Sequence, residues 1–237
     1  MRLNDEFIPE FDAPPKIEVA EQHDQLPEAK PPEQPRTDTR PTLKPVVIEI
    51  CEGTAMLSRC FQEVGFDVMA VDHSHNRFHP LAHICTLDLT LKSSWEFLYY
   101  VVRNFPVCFV HAAPPCGTCS RAREIHLGGP TQPRPLRSSE FPHGLPQLTA
   151  DEQARVTAAN SIYSQMSDFL LFCTEQSIPW SIENPARSYL WETEWMVKLQ
   201  TVATFFYFTA CAWGSSRPTK KAFLSTLPAM TRLEAEC

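Results

Sequence analysis

A cysteine and a glutamate in this sequence each follow a short apolar run, in a setting that suits nucleophilic chemistry. Cys116 comes after the run 106–110 and two prolines, and before small residues and two arginines, Arg121 and Arg123. The prolines stiffen the backbone ahead of the thiol, and the arginines predict an electropositive environment for it. Glu183 ends a second apolar run. A thiol beside a carboxyl group can add to an electron-poor ring carbon while the acid stabilises charge on a ring nitrogen.

Two simpler interpretations of the cysteine compete with this one. Cys116 and Cys119 form a Cys-x-x-Cys pair, which is typical of half a zinc site or of a redox pair. The sequence offers no second pair at a suitable spacing, so we expect no metal site. Both cysteines could also be small loop residues. A small zinc or redox protein nevertheless stays as an alternative function.

Three further residues predict a site for an adenosine-type cofactor. A tight turn at Gly53 lets a helix N-terminus approach a ligand. Asp72 stands nineteen residues later, at the tip of the second predicted strand, where a carboxylate can accept both ribose hydroxyls. Asp88 could meet an adenine amino group. A dinucleotide fingerprint would need glycines at Ala55 and Ser58, which disfavours a nicotinamide cofactor. Taken singly, the three residues are also explained as a turn, a helix cap and a loop residue.

Strands and helices alternate along the chain from Pro45 onwards. The predicted strands are 46–50, 66–71, 106–110, 180–182 and 222–225. The predicted helices are 56–64 with a C-cap glycine at Gly65, 92–104 with a serine cap, and 150–175 with a capping box of Thr149 and Glu152. The pattern predicts an α/β domain with a largely parallel sheet and helices on both faces. Ligands bind such sheets beyond the carboxyl ends of the strands, where the candidate residues stand.

Composition divides the chain into a disordered tail, 1–44, and a folded domain, 45–237. The tail is rich in Pro and Glu and has no hydrophobic period, so it cannot bury enough apolar surface to fold. The net charge is −7, of which residues 1–45 contribute −4, so the folded part permits a local basic groove. Without a membrane span or a signal peptide pattern, we expect an intracellular protein, nuclear if eukaryotic. We expect all nine cysteines to be reduced thiols.

The residues around Cys116 and Glu183 resemble two motifs of cytosine-C5 DNA methyltransferases. Ala113-Pro114-Pro115-Cys116, followed by Ser120, is similar to the catalytic Pro-Cys motif of that family. Ile182-Glu183-Asn184-Pro185 is similar to its Glu-Asn-Val motif. Residues 211–221, with a Gly and a basic-Thr cluster, are more similar to the divergent, phage-type branch of the family.

The predicted cofactor residues occur in the same order along the chain as the cofactor motifs of this family. Residues 49–54, with Gly65 and Phe66 closing the helix, are similar to its first cofactor motif, and Asp72 and Asp88 fall where the second and third motifs require an acid. The resemblance covers roughly residues 46–226 and therefore the catalytic half of the family only. It implies a Rossmann-like fold that binds S-adenosylmethionine. The implied cofactor-binding residues are Gly53, Thr54, Asp72, Asp88 and Pro114.

The resemblance also implies a mechanism and a partner. Cys116 would attack C6 of cytosine, Glu183 would engage N3 and the exocyclic amine, and C5 would take the methyl group. Asn184 would brace the Pro-Cys loop, and the segment 121–148 would be a mobile loop closing over the base, unless it is a plain surface linker. The partner is nucleic acid, with DNA favoured over RNA, and the base must be flipped out or single-stranded. The residues expected to touch the base or its phosphate are Arg217, Lys220 or Lys221.

Three departures from the family pattern leave a second function open. Ala55 replaces the second cofactor-loop glycine, Pro185 replaces the usual valine, and no target-recognition region follows the last motif. The alternative is a catalytically inactive methyltransferase-fold scaffold, or a fragment of a longer protein.

Overall fold

The structure, a computed structural model, describes residues 43–51, 53–125 and 133–236. The predicted disordered tail lies outside the described residues, apart from its last two positions. In the described part of the chain, no helix is long and apolar enough to cross a lipid bilayer.

Seven strands form one sheet within the described residues. They are β1 (Val46–Ile50), β2 (Asp67–Asp72), β3 (Ile84–Thr86), β4 (Val107–Ala112), β5 (Trp180–Pro185), β6 (Thr204–Thr209) and β7 (Lys220–Ser225). Their order across the sheet is β3-β2-β1-β4-β5-β7-β6, with β7 antiparallel to both of its neighbours and the other pairs parallel. The protein is thus a mixed α/β fold with a mostly parallel sheet, as predicted.

The sequence does not predict β3 or β6. Three residues are too few for a readable period of two, so β3 carries no pattern of its own. β6 lies outside the alternation of strands and helices, because its partner β7 is antiparallel and joined to it without an α-helix.

The strand order reverses beside β1. The chain runs outwards from β1 to β2 and β3, then crosses to β4 on the other side of β1 and continues to β5. In open α/β sheets, ligands bind at such a reversal, in the crevice outside the carboxyl ends of the strands. The fold therefore directs attention to the loops that follow β1 and β4.

Helices cover both faces of the sheet. The α-helices are α1 (Met56–Glu63), α2 (Lys92–Asn104), α3 (Ala150–Glu175) and α4 (Glu194–Leu199), and the short 3₁₀ helices are Arg121–Glu124, Tyr189–Glu192, Ala210–Trp213 and Pro228–Leu233. Ile48 and Val110 belong to one buried cluster with residues of α2 and α3. The Phe61 ring of α1 lies 6.0 Å from the ring of Phe109, whose side chain points to the opposite face from Val110.

Two of the three predicted helix caps are confirmed. Thr149 and Glu152 form the reciprocal capping box that opens α3, and Gly65 follows α1 with a φ of 95° that favours glycine. The serine cap predicted for α2 is wrong. The cap residue is Leu91, and Ser94 lies inside the helix with its hydroxyl donating to the Asp88 carbonyl oxygen at 2.7 Å.

The cysteines depart from the prediction at one position. Seven described cysteines are free thiols, but Cys211 is disulfide-bonded. Composition alone does not say which thiols meet in the fold, so the expectation of nine reduced thiols is wrong there.

Candidate functional site

A cleft of about 800 Å³ opens at the carboxyl edge of the sheet, beside the reversal in strand order. Three predicted cofactor residues, Gly53, Asp72 and Asp88, line it together with Ala113 and Pro115. They come from the ends of β1, β2, β3 and β4, so the parallel sheet gathers residues that are far apart in the chain.

The other two predicted cofactor residues do not line the cleft. Thr54 is exposed, and its carbonyl oxygen accepts a hydrogen bond from the Leu81 amide at 2.8 Å. Pro114 is buried beneath Pro115, and its carbonyl oxygen accepts a hydrogen bond from Asn184. Both residues support neighbours of the cleft instead.

The two carboxylates of the cleft differ in their surroundings. Asp72 is buried, with 7% of its surface exposed, and its Oδ1 accepts a hydrogen bond from the His73 amide at 2.7 Å. Asp88 is exposed, and its Oδ1 accepts hydrogen bonds from the Thr90 hydroxyl at 2.6 Å and the Thr90 amide at 2.9 Å. These two bonds lower the pKa of Asp88, so it remains an ionised hydrogen-bond acceptor.

A segment that the sequence reasoning missed forms the outer wall of the cleft. The β2–β3 connection, residues 73–83, folds back onto the turn after β1. Asn76 Nδ2 donates to the Gly53 carbonyl oxygen at 2.6 Å. The Phe78 ring packs so closely on Gly53 that an added Cβ would lie 2.4 Å from a ring carbon. A side chain at position 53 would therefore force this exposed ring to move, and no hydrophobic period in 73–83 could have indicated the contact.

Cys116 and Glu183 lie at the same edge of the sheet, on adjacent parallel strands. Cys116 is half-buried, four residues beyond the end of β4, and Glu183 lies near the end of β5. Burial raises the pKa of the Cys116 thiol above its usual value, and the nearby Cys119 and Glu183 raise it further, whereas Lys221 lowers it. The thiol is therefore within electrostatic range of Glu183 and Lys221.

The two arginines predicted to surround Cys116 with positive charge both donate hydrogen bonds to neighbouring groups. Arg121 donates to the Arg187 carbonyl oxygen at 2.9 Å and to Glu192 at 2.6 Å. Arg123 donates to the Gly117 carbonyl oxygen at 2.6 Å. The cation that acts on the thiol is Lys221, which arrives from β7, far along the chain.

Lys221 forms an ion pair with Glu183. Its Nζ lies 2.7 Å from Glu183 Oε1, and the two side chains are 30% and 20% exposed. The ammonium group does not approach along a hydrogen-bonding direction, so this buried oxygen makes no hydrogen bond within the described residues.

The other two predicted basic residues do not reach Glu183. Lys220 precedes Lys221 in β7 and so points to the other face of the sheet, where its Nζ lies 2.9 Å from Glu236. Arg217 is exposed in the β6–β7 connection. Of the three candidates, the structure brings only Lys221 to the thiol and the carboxylate.

Asn184 makes the contact expected of a residue that braces the Pro-Cys loop. It is buried, and its Nδ2 donates to the Pro114 carbonyl oxygen at 3.0 Å. Cys119 is also fully buried, and its Sγ accepts a hydrogen bond from the Ser188 hydroxyl at 3.1 Å. Cys119 therefore packs behind the loop. In the described part of the chain, no group of three or more His, Cys, Asp or Glu side chains is placed to share a metal ion.

Tyr163 and Arg137 hold the Pro-Cys loop from the side of α3, and the sequence reasoning missed both. The Tyr163 hydroxyl donates to the Pro115 carbonyl oxygen at 2.5 Å. Arg137 is 1% exposed and donates to the Thr118 hydroxyl at 3.1 Å and to Asn160 Oδ1 at 2.8 Å. Burial lowers the pKa of Arg137. A buried guanidinium group has no local signature, because only the tertiary fold supplies its partners.

The described flanks of the segment 121–148 are held by several hydrogen bonds. Residues 126–132, the middle of the predicted mobile loop, lie outside the described residues. In the described flanks, Arg134 bonds to Glu152 at 2.5 Å, Arg123 bonds to the Arg134 carbonyl oxygen at 3.0 Å, and Arg137 is buried. A plain surface linker is therefore wrong for these flanks.

No protein-family model and no curated protein matches this chain. Its function is therefore inferred from the geometry of the site and from the resemblance of its motifs.

Proposed function

We propose that this protein is an S-adenosylmethionine-dependent methyltransferase that acts on C5 of cytosine in nucleic acid, through a covalent adduct of Cys116. One observation carries the proposal. Cys116, Glu183 and Asn184 meet at the carboxyl edge of adjacent strands, immediately beside the cleft that Gly53, Asp72 and Asp88 line. The mostly parallel sheet, with its order reversed beside β1, is compatible with a Rossmann-like methyltransferase domain.

The cleft fits an adenosine-type cofactor. Its volume of about 800 Å³ lies within the range of small-molecule sites. The buried Asp72 carboxylate can accept hydrogen bonds from ribose hydroxyls, and the ionised Asp88 can accept one from an adenine amino group. The bound cofactor would supply an electrophilic methyl group.

Cys116 would provide the nucleophile. A base would take the thiol proton and Sγ would form a bond to C6, which would move an electron pair onto C5. The carboxyl group of Glu183, in its acid form, would donate to N3 and accept a hydrogen bond from the amino group. C5 would then take the methyl group, and the electron pair of the broken sulfur–methyl bond would leave with S-adenosylhomocysteine. Loss of the C5 proton to a base returns the electron pair, the Sγ–C6 bond breaks, and Cys116 leaves as a thiolate. Because C6 is inaccessible in a duplex, the base must be flipped out or single-stranded.

Two residues would position this pair. Lys221 lowers the pKa of Cys116 and lies against Glu183, so it favours the reactive thiolate. Asn184 fixes the backbone two residues before Cys116 through the Pro114 carbonyl oxygen. The partner is nucleic acid, and DNA is favoured over RNA on the motif resemblance alone.

The decisive experiment is covalent trapping with an oligonucleotide that contains 5-fluorocytosine. Fluorine at C5 cannot leave as a proton does, so the adduct should accumulate on Cys116 when S-adenosylmethionine is present and not when it is omitted. Cys119→Ser is the matched control and should still trap, whereas Cys116→Ser should not. Glu183→Gln should slow trapping by roughly a hundredfold or more. An adduct on Cys119, or trapping that survives Cys116→Ser, refutes the assignment of the nucleophile.

The cofactor site has its own test. Calorimetry with S-adenosylhomocysteine should show binding to the wild type, weakened in Asp72→Ala by about 2 kcal/mol or more, because hydrogen bonds to two ribose hydroxyls are lost. Equal affinity in the two proteins would count against Asp72, and no binding to either would count against the cofactor.

One observation favours the second candidate, an inactive scaffold of the same fold. Burial raises the pKa of Cys116, so most of the thiol is protonated near neutral pH. A protein that binds S-adenosylhomocysteine but forms no adduct with single-stranded or duplex substrate would support the scaffold and exclude the enzyme.

A further inference from the structure

A second cavity lies beside the end of β5, close to the candidate active site. Its volume is about 690 Å³, and Ala186, Arg187, Tyr207 and Lys220 line one side of it. Ala186 follows directly on the end of β5, and its amide donates to the Lys220 carbonyl oxygen at 3.0 Å. The cavity is thus continuous with the strands that carry Glu183 and Lys221.

The adjacent lysines of β7 serve different sides of the sheet. Lys221 pairs in register with Pro185 and turns its ammonium group to Glu183. Lys220 pairs in register with Thr209 of β6 and lines the second cavity. A group bound in this cavity would therefore lie on the other side of β7 from a base held at Cys116.

An acidic segment closes the other side of the cavity. Ala235 is joined to the edge strand β6, because its carbonyl oxygen accepts a hydrogen bond from the Thr209 amide at 2.9 Å. Glu236 lies 2.9 Å from Lys220 Nζ, and Glu234 Oε1 accepts a hydrogen bond from the Tyr207 amide at 3.3 Å. The carboxylates of Glu234 and Glu236 thus line the same cavity as the basic and aromatic side chains.

We propose that this cavity binds the sugar-phosphate backbone of the strand whose cytosine reaches Cys116, and that Glu234 and Glu236 compete with its phosphates. The proposal rests on the proposed function and deepens it. Lysine and arginine neutralise phosphates, and an exposed tyrosine offers a face on which a base can stack without sequence preference. The two carboxylates hold negative charge where phosphates would bind, so they weaken nucleic-acid binding until they are displaced.

The competition can be measured by fluorescence anisotropy, with labelled single-stranded DNA and RNA of mixed cytosine-containing sequence. The full chain is used without cofactor, in a buffer without reductant so that the disulfide bond of Cys211 stays intact. Glu234→Gln/Glu236→Gln should bind about three- to tenfold more tightly than the wild type at low salt, and less so as salt rises. Lys220→Gln and Arg187→Gln should each weaken binding and reduce its salt dependence.

The matched control is Glu63→Gln/Glu96→Gln. It removes the same two charges from exposed ion pairs on α1 and α2, so it reports the effect of net charge alone. Equal affinities of Glu234→Gln/Glu236→Gln and this control would overturn the proposal, as would unchanged binding in Lys220→Gln.

The outcome is separable from that of the proposed function. If Glu234→Gln/Glu236→Gln binds more tightly but no covalent adduct forms, the backbone site is supported and the proposed methyl transfer is refuted. If the wild type forms the adduct but Glu234→Gln/Glu236→Gln does not bind more tightly, only the backbone site is refuted.

Discussion

Replacing Lys221 with methionine should slow the reaction of Cys116 with a small alkylating agent, whereas replacing the adjacent Lys220 should not. The two substitutions remove the same charge from neighbouring positions of β7. Lys221 lies 2.7 Å from Glu183 and lowers the pKa of Cys116, and Lys220 lies 2.9 Å from Glu236 on the other face. The comparison therefore separates the position of a charge from its presence.

The expected size follows from Coulomb's law. A unit cation about 4 Å from a unit anion contributes about 1 kcal/mol even at the dielectric constant of water. At a pH below the pKa, that free energy corresponds to about fivefold in the thiolate population, and so in the alkylation rate of Lys221→Met. The Glu183 carboxylate raises the pKa of Cys116, and without its cation it adds to the effect in the same direction.

The assay is alkylation with iodoacetamide across a pH series, read by mass spectrometry of the peptide that contains Cys116. Because burial raises the pKa of this thiol, the rate should rise about tenfold per pH unit through neutral pH and level off only in the alkaline range. Lys221→Met should move the curve to higher pH, and Lys220→Met should leave it in place. Equal slowing in the two variants, or a wild-type rate that is flat from neutral pH upwards, refutes the reasoning.

Three further predictions concern the supports of the site. Arg137→Met should destabilise the protein by about 3 kcal/mol or more, because Thr118 and Asn160 lose a buried partner, and a change below about 1 kcal/mol in urea unfolding would contradict this. Asn184→Ala leaves the Pro114 carbonyl oxygen buried without its donor and should cost about 1–3 kcal/mol in the same measurement, with unchanged stability as the contrary result. Gly53→Ala should weaken S-adenosylhomocysteine binding, and adding Phe78→Ala should restore part of it, since the added Cβ would clash with that ring; a double variant no better than the single one would speak against the contact.

The sequence predicts those parts of the fold that depend on neighbouring residues. The alternation of apolar strands with amphipathic helices is local, and so are the Thr149–Glu152 capping box and the glycine after α1. From these, the rule that parallel strands align their carboxyl ends suffices to place Asp72 and Asp88 beside one cleft.

The remaining features depend on pairings that the sequence does not display. Lys220 and Lys221 could not be told apart without the direction and register of β7, since a shift of one residue exchanges their faces. Arg121 and Arg123 stand near Cys116 in sequence, yet their guanidinium groups donate to the backbone carbonyl oxygens of Arg187 and Gly117. The wall formed by 73–83 depends on a close contact with Gly53 across the cleft, which no periodicity encodes.

The reversed direction of β7 has a consequence for how this architecture can change. A parallel strand delivers its last residues to the carboxyl edge, but an antiparallel one delivers its first, so β6 ends and β7 begins beside the candidate active site. The connection 210–219 between them thus overhangs that edge without crossing the sheet. Insertions or substitutions in this hairpin would change the surface that a substrate contacts at this edge, while the parallel part of the sheet would stay unchanged. We expect substrate range to be most readily re-engineered there.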